Sequence, residues 1–135
     1  MSGDCVFCAI VAHEQPASIV AEDDYTVAFM DINPWRVGHT LVVPRHHAKD
    51  LVAIDAQDLA RVYTAAQRLA ERMREHLGCE RVHLWNSCGE AAGQVIMHFH
   101  LHVIPGRADD PDLPLRPLSP PAPAEIASAA QALRG

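Results

Sequence analysis

Between Met97 and Ile104 the chain reads Met-His-Phe-His-Leu-His-Val-Ile, an alternation of apolar residues with three histidines. A period of two is the signature of a β-strand whose faces differ: Met97, Phe99, Leu101 and Val103 project one way, His98, His100 and His102 the other. One face demands a core, and the other carries three titratable, nucleophilic rings. Histidine is 9 of 135 residues, so three in strict alternation arise by chance only on the order of a few per cent of the time, counted against that template.

The rest of the chain supplies what such a strand can pack against. From Asp55 to Leu77, apolar residues at Leu59, Val62, Tyr63, Ala66, Leu69, Ala70, Met73 and Leu77 trace one helical face. Asp55 suits the N-cap, Ile54 and Leu59 a hydrophobic staple, and Gly78 the left-handed position past the end. Ile19–Glu22 and Thr26–Asp31 read as a hairpin, Thr40–Pro44 as a third strand, Arg81–Trp85 as a fourth and Met97–Ile104 as a fifth. Strands on both sides of one long helix, with short connections, predict an α+β layer fold with antiparallel pairing rather than a βαβ unit. Seven of the ten prolines fall between Pro105 and Pro123, predicting an irregular surface stretch ahead of a short helix over Ala124–Leu133.

Composition narrows the function. The net charge of -6 leaves no electrostatic footprint for duplex nucleic acid. The longest apolar run, Cys5 to Ala12, is far shorter than the roughly 20 residues of a membrane span. Asp4 precedes that run without any Lys or Arg, unlike a signal peptide, so a cytoplasmic location is expected. In that reducing setting Cys5, Cys8, Cys79 and Cys88 suit metal binding or packing better than disulfides.

Three readings of the histidine strand compete. It could be a solvated polar face, or a three-histidine zinc site, although histidines at i, i+2 and i+4 span roughly 13 Å between end Cα atoms and chelate one ion poorly. Alternatively a neutral imidazole attacks phosphorus while its neighbours supply protons and orientation. The Ser87–Gly93 loop, with two glycines, can bring backbone amides to a ligand.

Taken in order, Glu22-Asp23-Asp24, Ala28-Phe29-Met30-Asp31-Ile32, Gly38-His39-Thr40-Leu41-Val42-Val43-Pro44, and Ala92-Gly93-Gln94 leading into His98-Phe99-His100-Leu101-His102-Val103 resemble the histidine triad (HIT) family, specifically its Hint-like branch and bacterial zinc-binding members. The resemblance covers about Cys5 to Arg107. It implies a five-stranded antiparallel sheet with one long helix and short flanking helices, and a homodimer. Residues 1–107 would form the HIT-like catalytic unit, and 108–135 a Pro-rich extension with a short helix, part of the same domain. The implied reaction is hydrolysis or transfer at the α-phosphate of purine nucleoside phosphoramidates or dinucleoside polyphosphates. A phosphorylase or a nucleotide-binding regulatory module is the alternative.

By position, the resemblance makes His100 the nucleophile, His102 the histidine that contacts phosphate and leaving group, and His39 the fourth histidine; chemically, a protonated His102 would stabilise the phosphate oxygens and pass a proton to the leaving group. It places Gln94 in the phosphate loop and Asp31 on the ribose hydroxyls, with Val6, Phe7, Ile10, Phe29 and Ile32 around the base. Two positions depart from the pattern: Ser87 stands where many members have asparagine, with Asn86 one residue earlier, and Val95 replaces a serine. Cys5 and Cys8 have zinc-knuckle spacing, and bacterial relatives complete such a site with a histidine after the third strand and the first of the triad, here His47 and His98. His46 rivals His47, and simple packing of the two cysteines is the alternative. No metal is needed for the chemistry itself.

Overall fold

The computed structural model describes residues 5–111 and 121–135. Its elements run α1 (Val6–Val11), β1 (Ile19–Glu22), β2 (Thr26–Met30), β3 (Thr40–Pro44), α2 (Ala56–Leu77), β4 (Arg81–Trp85), β5 (Leu101–Gly106) and α3 (Pro123–Arg134), with one 3-10 turn at Glu90–Ala92. The five strands form one sheet in the order β1-β2-β3-β5-β4, antiparallel throughout. The expected α+β architecture is therefore the observed one.

Local chemistry explains the joints. The Asp23 carboxylate accepts the backbone N–H groups of Tyr25 and Thr26 at 2.8 and 2.7 Å, closing the β1–β2 hairpin as an Asx turn. Asp55 accepts the Gln57 N–H at 2.8 Å to cap α2, and Gly78, with φ 63°, ends it in the left-handed conformation. Gly38 also has positive φ, and a Cβ there would lie 2.7 Å from Pro105 Cγ and 2.8 Å from Leu77 Cδ1. Only glycine lets the chain turn into His39 beneath those two side chains.

The central strands are covered on both faces, and their alternation divides the core. Ala28, Met30, Val42, Leu101 and Val103 join Val62, Ala66, Leu69 and Met73 of α2 and Ala129, Ala130 and Leu133 of α3. Val27, Phe29, Leu41 and Val43 pack on Phe7 and Ile10 of α1. His102 faces this second side, so the histidines share the α1 face of the sheet.

The fifth strand begins at Leu101, four residues later than the alternation predicts. The preceding segment is bent and leaves the ladder: Phe99 N–H donates to Ala48 O in the loop after β3 at 2.7 Å, and the His98 ring, through Nε2, donates to Pro44 O at the end of β3 at 2.9 Å. That bend turns His98 away from the line of the other two histidines. The last helix spans Pro123–Arg134, slightly longer than expected, and the irregular stretch foreseen between Pro105 and Pro123 lies outside the described residues over 112–120.

Candidate active site and metal centre

Hydrogen bonds fix the tautomer of each histidine in turn. His100 Nδ1 lies 2.8 Å from the carbonyl oxygen of His98, which can only accept, so Nδ1 carries the proton and Nε2 keeps its lone pair. The backbone N–H of Trp35 donates to His39 Nδ1 at 3.0 Å, which places the His39 proton on Nε2. That Nε2–H donates to His102 Nδ1 at 2.8 Å, with Asp31 Oδ2 at 3.5 Å beside it. His102 consequently bears its proton on Nε2. A lone pair on His100 and an N–H on His102 are thus set two residues apart, their ring centroids separated by 5.1 Å.

Electrostatics agree with neutral rings. Burial pushes His39 and His102 down to about 3 and His98 to about 4, and it lowers His100 as well. His102 is therefore a neutral donor in the resting site rather than the protonated group expected from sequence. Desolvation opposes its charge, and the His39 proton already occupies its Nδ1.

Asp31 Oδ1 accepts the Asn33 N–H at 2.8 Å, capping the turn after β2, while Oδ2 is turned to the histidines. Phe7, Ile10 and Phe29 form a buried apolar floor, Phe7 meeting Phe29 edge-on at 5.3 Å and His100 at 5.2 Å. Val6 is partly exposed, and Ile32 is 85% exposed, so the latter is not brought into that floor. Gln94 is turned inward: its oxygen accepts Gly89 N–H at 2.8 Å and its amide donates to Lys49 O and Ile96 O at 2.8 and 3.0 Å. Both amide protons are thereby used in holding the loop. Ser87 Oγ accepts from Trp85 Nε1 at 3.1 Å, and Val95 is exposed.

Two contributors, Trp35 and Trp85, escaped the sequence reading, and a third, Asn86, entered it only as the neighbour of Ser87. Asn86 Nδ2 donates to the His100 carbonyl at 3.0 Å, so the asparagine next to Ser87, rather than Ser87, touches the backbone of His100. Trp35 stacks on His102 with ring centroids 5.1 Å apart and planes 14° apart, and Trp85 meets Trp35 edge-on at 6.0 Å. The available signal was that the chain has only two tryptophans, one just before the Gly-His pair and one at the end of β4.

Beside His100, Cys5, Cys8, His47 and His98 converge as expected. His98 Nδ1 is 3.4 Å from each sulfur and 3.2 Å from His47 Nδ1, and Cys8 Sγ is 3.3 Å from His47 Nδ1. Tetrahedral zinc, with bonds of about 2.0 Å to nitrogen and 2.3 Å to sulfur, sets ligand atoms about 3.3–3.8 Å apart. The donors fit, and the His98 Nε2–H bond to Pro44 O leaves Nδ1 free to ligate, as an outer partner of a metal histidine does. Without an ion, burial pushes the Cys8 thiol up to about 11, the opposite of what a thiolate ligand requires unless a cation is present. His46 points elsewhere, toward Asp58 at 3.7 Å. Asp31, His39 and His102 also cluster, but a protonated His39 Nε2 suits a hydrogen bond and not a metal.

This arrangement, an antiparallel sheet presenting His39, His100 and His102 beside a Cys₂His₂ cluster, defines a class. Residues 12–109 match the HIT domain model, and the chain belongs to that family. It is 42% identical over 106 residues to the uncharacterized HIT-like protein MT1300 of Mycobacterium tuberculosis, covering 78% of this chain and 74% of that one. It is 33% identical over 110 residues to adenylylsulfatase HINT3 of Arabidopsis thaliana, covering 82% of this chain and 56% of the relative. The crystal structure of a Zn-bound histidine triad family protein from Mycobacterium smegmatis superposes with a TM-score of 0.88 at 34% identity, covering 99% of this chain and 93% of that one.

Proposed function

We propose that the protein is a nucleotide hydrolase acting at the α-phosphate of purine nucleoside phosphoramidates or dinucleoside polyphosphates through a covalent nucleotidyl-His100 intermediate. The observation that carries this reading is the pair of fixed tautomers: a lone pair on His100 Nε2 beside an N–H on His102 Nε2. An Arabidopsis relative that is an adenylylsulfatase supports nucleotide chemistry on this fold.

The nucleoside lies toward Phe7, Ile10 and Phe29, and Asp31 accepts from the ribose hydroxyls. His100 Nε2 attacks phosphorus, forming the N–P bond as the electron pair of the bond to the leaving group moves onto that group. His102 Nε2–H donates a hydrogen bond there. A polyphosphate departs as an anion, and an amine departs neutral from the nitrogen-protonated form of the phosphoramidate. Water then attacks phosphorus, its proton passes to solvent, and the N–P pair returns to His100. Asn86 and the His98 carbonyl hold the ring in line throughout, an orienting role of the kind that lowers barriers by removing misaligned states.

Cys5, Cys8, His47 and His98 would hold zinc, whose contribution there is a structural cross-link between α1, the loop after β3 and the catalytic segment. A homodimer is supported by the outer edge of β4, which pairs with no further strand among the described residues, and by the groove of about 520 Å³ that Val82 and Leu84 share with Tyr63 and Gln67 of α2. Rapid quench of the protein into alkaline denaturant, in which a nucleotidyl-histidine P–N bond survives, with an α-phosphate-labelled adenosine phosphoramidate tests the mechanism. Label should be retained on a peptide containing His100, whereas turnover with no trapped label rules out the covalent route. Phosphate-dependent formation of nucleoside diphosphate would instead favour a phosphorylase.

A further inference from the structure

From Phe29 the rings form a continuous row: Phe29 to Phe7 at 5.3 Å, Phe7 to His100 at 5.2 Å, His100 to His102 at 5.1 Å, His102 to Trp35 at 5.1 Å and Trp35 to Trp85 at 6.0 Å. The nucleophile sits in the middle. With the nucleoside at the phenylalanine end, the group that leaves phosphorus on the far side of His100 heads toward the tryptophans. Resting on the reaction proposed above, we infer that Trp35 and Trp85 form a stacking platform for the leaving group. The favoured leaving group then carries a planar ring, either an aryl amine or a second nucleobase.

Sheet register puts the platform on the correct face. Trp85 pairs directly with His102 across β4 and β5, so their side chains project to the same side, opposite to Leu84 and the α2 groove. Trp85 is 37% exposed, and its Nε1–H donates to Ser87 Oγ at 3.1 Å, which holds the indole in one orientation. Trp35 is anchored through its backbone N–H to His39 and through its ring to His102. An indole that serves only as core is buried. This one is held rigid at the surface beside the catalytic rings, which suits stacking because little rotamer freedom is lost when a partner binds.

The test compares adenosine phosphoramidates bearing an aryl or an alkyl amine of matched basicity, with diadenosine polyphosphate and ATP as a second pair. Ring-bearing leaving groups should raise kcat/KM about tenfold, the order that one aromatic stack supplies. Trp85→Ala should bring that ratio close to one, and Trp85→Phe should restore most of it. A gain confined to the aryl amine, or confined to the diadenosine compound, identifies which source the platform serves. Quenching of tryptophan fluorescence by a non-hydrolysable adenosine phosphonate carrying a nitrophenyl group reads the platform independently of turnover. Hydrolysis of both members of each pair at equal rates overturns the platform while leaving the reaction intact. Absence of hydrolysis overturns the reaction, and the Trp85-dependence of quenching then decides the platform alone.

Discussion

The carbonyl of His98 accepts the Nδ1 proton of His100 at 2.8 Å, while the Nδ1 of the same His98 points into the cluster of Cys5, Cys8 and His47. One residue thereby joins the Cys₂His₂ cluster to His100, the proposed nucleophile, through its own backbone.

Zinc removal should reach catalysis through that joint. We expect close to one zinc per chain by elemental analysis, and in a Cys5→Ser, Cys8→Ser double variant a loss of metal with a fall in Tm of at least about 5 °C. Turnover should fall with it. Metal-free wild-type protein of unchanged Tm removes zinc from the account and leaves the His100 chemistry standing.

Replacing Asn86 by alanine takes away the donor on the His100 carbonyl without touching either ring. A drop in kcat of roughly tenfold with KM little changed is the pattern of an interaction that matters in the transition state. If KM rises instead and kcat holds, Asn86 binds substrate rather than positioning the nucleophile.

Asp31 presents one oxygen to the Asn33 turn and the other toward the histidines. A ribonucleotide should bind more tightly than its 2′,3′-dideoxy analogue by about tenfold, as charge-assisted hydrogen bonds imply, and Asp31→Asn should reduce the difference. Equal affinities measured by calorimetry would confine Asp31 to the turn.

Acid stability follows from the buried rings. The ordinary imidazole value is 6.5, and burial holds His39 at about 3 in the folded protein. Below 6.5 the unfolded chain takes up a proton that the folded chain refuses, so stability is complete above that pH and declines toward 3. Thermal melts across this range should fall more shallowly for His39→Asn than for the wild type. Parallel curves would mean that His39 charges without unfolding its surroundings.

Much of this was legible because side-chain period and backbone geometry are coupled. The α2 face, the Asp55 cap, the Gly78 stop and β1, β3 and β4 are local properties, and local sequence states them. The start of β5 was not local: the alternation runs on to Met97, but Pro44 and Ala48, some 50 residues away, bind the backbone and ring that a strand would have used. Likewise Gln94 carries the expected residue type, yet its amide protons go to Lys49 and Ile96, which a linear reading cannot see. The convergence of Cys5, Cys8, His47 and His98 became readable only through the resemblance, since their sequence separations alone do not bring them together.

The sequence of donors from Trp35 N–H to His39 and from His39 to His102 has a direction. Moving either ring's proton to its other nitrogen would set two protons, or two lone pairs, against one another. The proton arrangement is consequently dictated by a peptide bond, which does not titrate. The loop from Trp35 to His39 serves as the reference that tells a ring on the neighbouring strand of the sheet which nitrogen is to face the substrate.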